Sequence, residues 1–137
     1  MRRTTILLAA ILLAAGAAGC SKSADDTARD CAAALTERTG GDAADKPTLD
    51  EAEARVQAVD EALADLVRSG HEPVAARAFS TLEKKTKAGG EGRPEACESL
   101  SEGDYTTLLT AKSIDGLGWT GEGGEVDKVK MVKGARG

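Results

Sequence analysis

Cys20, Cys31, Cys97 and His71 are the side chains with the widest chemistry in this chain. A thiol can attack as thiolate, ligate zinc or pair oxidatively, and an imidazole can serve the first two roles as base or ligand. The lone His71 stands in Ser69-Gly70-His71-Glu72-Pro73, and its adjacency to Glu72 is adjacency in sequence only. A base and its orienting carboxylate need spatial geometry, which adjacency does not supply. There is no G-x-S-x-G, no H-E-x-x-H and no Gly-rich phosphate loop followed by Lys-Ser/Thr. Asp115 to Glu125 has the outline of a calcium loop, but Leu117 and Trp119 stand where oxygen donors are required. Carboxylate pairs in 49–69 are what a chain with 30% charged residues yields by chance. A zinc site built from Cys31, Cys97 and His71 has no support in their spacing. No catalytic residue, metal ligand or cofactor is assigned, and the expectation is a non-enzymatic protein.

The setting of Cys20 gives it a different chemistry. Arg2 and Arg3 precede an apolar run from Ile6 to Leu13, and small residues follow to Gly19. That run falls short of the roughly 20 apolar residues a spanning helix needs, and has the form of a cleavable export signal. Ala17-Ala18-Gly19-Cys20 resembles a bacterial lipobox, with Ala17 where Leu is more usual. The resemblance implies cleavage before Cys20 and diacylglycerol on its thiol. Ordinary signal-peptidase cleavage after Ala15-Gly16-Ala17 is the simpler alternative. Several acyl chains on one residue anchor durably, because each buried methylene contributes about 0.8 kcal/mol. If lipid takes Cys20, the remaining even pair in an oxidising compartment is Cys31 and Cys97. They form either a disulfide or two free buried thiols.

The chain has 137 residues, a formal charge of −5 and three aromatic residues, Phe79, Tyr105 and Trp119. That balance argues against nucleic acid, whose binding rests on neutralising phosphate. Without residues 1–19 the balance is 16 basic against 23 acidic, a net of −7. Leu, Ile, Val and Phe then number 18 in 118 residues, a thin supply for a core. A staple, self-association or a partner could make up the difference.

The elements that position these residues read as helices. Residues 20–26 are a polar tether, and a helix is expected from Thr27, with Ala28, Cys31, Ala32 and Leu35 on one face and Gly40-Gly41 as its stop. Thr48 and Glu51 make a capping box for a helix over 49–69. Its seam, Leu49, Ala52, Val56, Val59, Leu63 and Leu66, has heptad spacing and suits a bundle, a coiled-coil dimer or a partner helix. Pro73 opens a third helix with Val74, Ala75, Ala78, Phe79 and Leu82 on its apolar side. Residues 89–94 form the expected flexible loop. Ser101 and Asp104 cap a helix carrying Tyr105, Leu108, Leu109 and Lys112 on one face up to Ile114, with Gly116 able to cap its end. Val126, Val129 and Val132 suit one face of a short last helix, with a strand as the weaker alternative.

The run RPEACESLSEGDYTTLLTAKSIDGLGW, residues 93–119, resembles a group of small, uncharacterised exported proteins and lipoproteins of actinobacteria. The resemblance implies pairing of Cys97 with an upstream Cys, here Cys31, and a helical unit from Tyr105 to Trp119. It implies no activity. The expectation is an all-α bundle of four or five short helices over 27–133, stapled by one disulfide, with 134–137 disordered. It would be held through Cys20 on the outer face of the cell membrane, as an envelope interaction or accessory protein. Contact is expected through helix 49–69 with another envelope protein or a second copy, or at Tyr105 and Trp119. A small-ligand-binding lipoprotein with a pocket near Tyr105 and Trp119 is the alternative.

Overall fold

The computed structural model describes residues 23–136; residues 1–19, expected as an export signal, and Cys20 lie outside the described residues. Five α-helices follow in order: α1 Ala24–Thr39, α2 Leu49–Arg68, α3 Glu72–Gly89, α4 Glu102–Gly116 and α5 Lys128–Arg136, with a 3₁₀ turn Glu95–Cys97 before α4. Extended pairing among the described residues is one antiparallel bridge, Thr120 with Val126. The protein is an all-α bundle, as the periodicity predicts.

Local chemistry explains the ends. Ser23 caps α1 by accepting from Asp26 N at 3.1 Å, so the helix starts ahead of Thr27 and takes up residues expected in the tether. Thr48 and Glu51 form the full reciprocal box of α2. Ser101 accepts from Asp104 N at the start of α4. At the other end α4 includes Gly116, expected as its cap, and is capped instead at Leu117, and Gly118 (φ 75°) takes the left-handed position. Trp119 N donates to Ile114 O at 3.2 Å and Gly118 N to Asp115 O at 2.9 Å, a Schellman pair of bonds. Gly116 is needed for another reason: a Cβ there would lie 1.9 Å from the Thr39 carbonyl oxygen, where the end of α4 meets the end of α1.

α4 is the central helix, packing on α1, α2 and α3, while α5 packs on α3. Its first half joins a cluster of Ala28, Cys31, Leu35, Ala52 and Cys97 through Leu108, Leu109 and Ala111. Its last turn joins a second cluster, Val59, Ala62, Ala78, Leu82, Trp119, Met131 and Ala135, through Ile114. Eight buried residues are alanines (28, 32, 52, 62, 75, 78, 111 and 135), so close helix approach replaces large side chains. That is how a chain poor in Leu, Ile, Val and Phe still closes a core. The Cys31–Cys97 disulfide, S–S 2.02 Å, ties α1 to the 3₁₀ turn and excludes both the free-thiol and the zinc alternatives.

Several expected faces are turned. The deepest line of α2 is Ala52, Arg55, Val59 and Ala62, with Leu49, Val56, Leu63 and Leu66 only partly buried beside it. Phe79, expected in the core, is 57% exposed. α5 buries Met131 and Ala135, not its valines, and Val129 is exposed. Ala135 is buried and the helix reaches Arg136, so residues 134–136 are part of the fold. The 89–94 loop is tied down by Arg38, whose Nη1 donates to the carbonyls of Glu91 (2.7 Å) and Gly92.

Candidate functional site

The residues singled out in the sequence do not converge. His71 is exposed in the α2–α3 turn, where it is the N-cap of α3 without a side-chain cap bond. Tyr105 packs on the disulfide-side cluster, whereas Trp119 is 1% exposed within the other cluster. Trp119 therefore cannot serve as a contact surface, and it shares no pocket with Tyr105. Its burial follows from the Schellman turn, which folds the chain back over the end of α4. Near the disulfide, Arg93 donates to Cys97 O from Nε (3.0 Å) and Nη2 (2.8 Å), and to Leu100 O. Its guanidinium lies 4.7 Å from the Tyr105 ring centroid. These contacts organise the 3₁₀ turn and leave the disulfide sealed.

Between the two apolar clusters lies a knot of charge. Arg55 and Asp45 pair through two 2.8 Å bonds, Nη1 to Oδ2 and Nη2 to Oδ1, and Arg55 Nη1 also reaches Ala111 O at 3.2 Å. Lys112, fully buried, sends Nζ to the carbonyls of Asp45 (2.7 Å) and Asp42 (3.0 Å) and to Asp115 Oδ2 at 3.4 Å. Asp115 also accepts from Thr120 Oγ1 and from Asp42 N, each at 2.7 Å. Burial pushes the Asp45 carboxyl up, but the Arg55 hydrogen bonds and charge, together with Lys112, outweigh it and hold the group below its ordinary value. The loop bearing Gly121 to Glu125 lies over this knot, with Gly124 close against Arg55. A depression of about 820 Å³ separates that loop from residues 42–47 and the start of α2.

The second feature is an apolar groove of about 360 Å³ between α2 and α3. Val56, Val59, Leu63, Leu82 and Ile114 form its floor and Phe79 stands at its mouth. Asp60, Glu83 and Lys87 line its edges. Helix 49–69 thus supplies an apolar surface through Val56, Val59 and Leu63, three members of the expected seam, in company with Phe79 and Leu82 of α3.

Sequence reasoning missed Arg55 and the outward turn of Phe79. Arg55 had a signal, since it falls at the spacing 3, 4, 3 with Ala52, Val59 and Ala62. Phe79 had none, because it sits at the edge of the apolar arc, and only the placement of α2 decides which edge is covered. Among the described residues, no group of three or more His, Cys, Asp or Glu side chains is gathered as a metal ion would require. No helix among them is long and apolar enough to cross a membrane. The chain matches no protein-family model, no curated protein and no solved structure.

Proposed function

We propose that this chain is a lipid-anchored, non-enzymatic protein of the cell envelope that works by contacting another protein through its α2–α3 face. The observation that carries this reading is Phe79. In a chain with one Phe, one Tyr and one Trp, the Phe is left 57% exposed beside an apolar groove. Exposed aromatic surface next to an apolar groove is costly in water and is the usual mark of a contact site. The address rests on the export signal and on Ala17-Ala18-Gly19-Cys20, and a sealed disulfide suits an oxidising compartment.

Small-ligand binding is the second reading, and the large depression beside Arg55 favours it. It ranks second because the charges beneath it are already paired, Arg55 with Asp45 and Lys112 with Asp45 and Asp115, and Arg55 Nε is the one buried polar atom among them without a partner.

The test is photo-cross-linking from position 79 of the membrane-anchored chain in cells, with Glu122, on the far loop, as control position. One partner captured from position 79 and not from position 122 is expected. Equal capture from both positions, or none from position 79, overturns the reading.

A further inference from the structure

We infer that the occupant of the α2–α3 groove is a basic, apolar-faced helix of another protein. This rests on the contact reading above and adds the chemistry of the partner. Val56, Val59, Leu63, Leu82 and Ile114 make the apolar part of the lining, with Phe79 beside it, and Thr86, whose buried hydroxyl has no hydrogen-bond partner, and Thr110 complete it. Along α2 the exposed Val67 continues the line of Val56 and Leu63, being four residues on from Leu63. At about 1.5 Å per residue, Val56 and Val67 are roughly 16 Å apart along the axis, the length of about three helical turns. That is the span a helix laid in a groove presents through its i, i+3, i+4 and i+7 positions.

The edges choose among occupants. Asp60 and Glu83 line the groove, and the exposed Glu53, one heptad before Asp60, extends the same edge; Lys87 is the one cation lining it. The groove's own lining, Asp60 and Glu83 against Lys87, is net acidic by one charge and by two with Glu53, while the neighbouring Arg68 and Lys128 share the single carboxylate of Asp65. A second copy docked by a two-fold axis would set this acidic edge against itself, and like charges across an interface cost affinity. An anionic lipid surface would be repelled in the same way. Lysines or arginines flanking an apolar helical stripe meet Glu53, Asp60 and Glu83 with opposite charge, which speeds encounter and fixes register.

The experiment uses the chain carrying Cys20→Ala, so that no lipid competes, with its disulfide intact. The probe is a fluorescein-labelled helical peptide of about 14 residues, with Leu on one face and Lys on the other. Two comparison peptides replace Lys by Glu or Leu by Ser. Anisotropy should show binding of the Leu/Lys peptide, weakened about tenfold or more by Phe79→Ser and about threefold or more by Asp60→Lys. Raising salt from about 0.05 M to about 0.5 M should weaken it as well. Phe79 and Asp60 are exposed, and an unchanged urea midpoint confirms that each variant is folded. Equal binding of the Lys and Glu peptides overturns the basic class while leaving the groove as a contact site. Binding that Phe79→Ser does not alter overturns the groove as its location. A dimer in sedimentation that Phe79→Ser abolishes identifies a second copy as the occupant and overturns the proposal. If no peptide binds while cross-linking from position 79 still captures one partner, the helix is wrong and the contact reading stands.

Discussion

Arg55 and Asp45 hold one another through two parallel hydrogen bonds of 2.8 Å, with side chains only 5% and 16% exposed. The pair joins the loop before α2 to the middle of α2, at the seam between two apolar clusters that are otherwise separate. Removing one member strands a buried charge. Arg55→Ala should cost about 3 kcal/mol or more in urea unfolding, whereas Asp45→Leu with Arg55→Met should cost much less than the two single changes summed. A loss under about 1 kcal/mol for Arg55→Ala would show that the pair contributes little.

The same pair sets an acid dependence. Since the native Asp45 value is lowered, its stabilisation is fully present above the unfolded value of about 3.9 and is lost as pH falls through the native value. The stability gap between wild type and Asp45→Asn should be constant from neutral pH down to about 4 and then shrink. A gap that grows in acid would contradict the direction of the shift.

Cys31 and Cys97 are 66 residues apart, so their bond restrains a long loop of the unfolded chain. The double change Cys31→Ser, Cys97→Ser should lower stability by about 4 kcal/mol on the chain-entropy account. Hydrogen exchange should accelerate first in α1, which the bond ties to the 3₁₀ turn, and later in α3. Uniform acceleration would mean that the two halves unfold as one unit.

Two glycine substitutions separate close packing from backbone strain. Gly116→Ala puts a methyl 1.9 Å from the Thr39 carbonyl oxygen and should cost about 2–3 kcal/mol. Gly70→Ala meets nothing within 4 Å and should cost only the left-handed strain of its φ of 81°, about 1–2 kcal/mol. The reverse order in thermal melts would refute the contact between the ends of α4 and α1.

Anchoring is read by fractionation and mass. Cys20→Ala should move the chain from the membrane fraction to the soluble one and remove the acyl mass from its N-terminal peptide. Retention in the membrane would refute lipidation of Cys20.

The helices were legible because their signals are local: Thr48 with Glu51, Ser101 before α4, Gly40 after α1, and apolar residues at helical spacing. Counting thiols left Cys31 and Cys97 as a disulfide or as two free thiols once Cys20 is set aside, and their pairing was what the resemblance of residues 93–119 implied. The exact faces were not legible, because burial here goes to alanine. Ala62 is buried more deeply than Leu63, since neighbouring helices come close only where side chains are small. A reading that ranks residues by hydrophobic size turns α2 toward its leucines and overlooks Arg55. The α5 register was missed for a related reason: Met131 and Ala135 are one helical turn apart and face α3, while Val129 lies outside that line.

Because α1 starts at Ala24, only residues 21–23 separate Cys20 from rigid structure. At no more than about 3.5 Å per residue, the span from Cys20 to Ala24 is about 14 Å at most. With lipid on Cys20, the bundle would stand on the bilayer with almost no search radius of its own. In that case any protein it engages would have to be membrane-bound nearby or to diffuse to that surface, and a longer linker at 21–23 would change its working range before it changed its affinity.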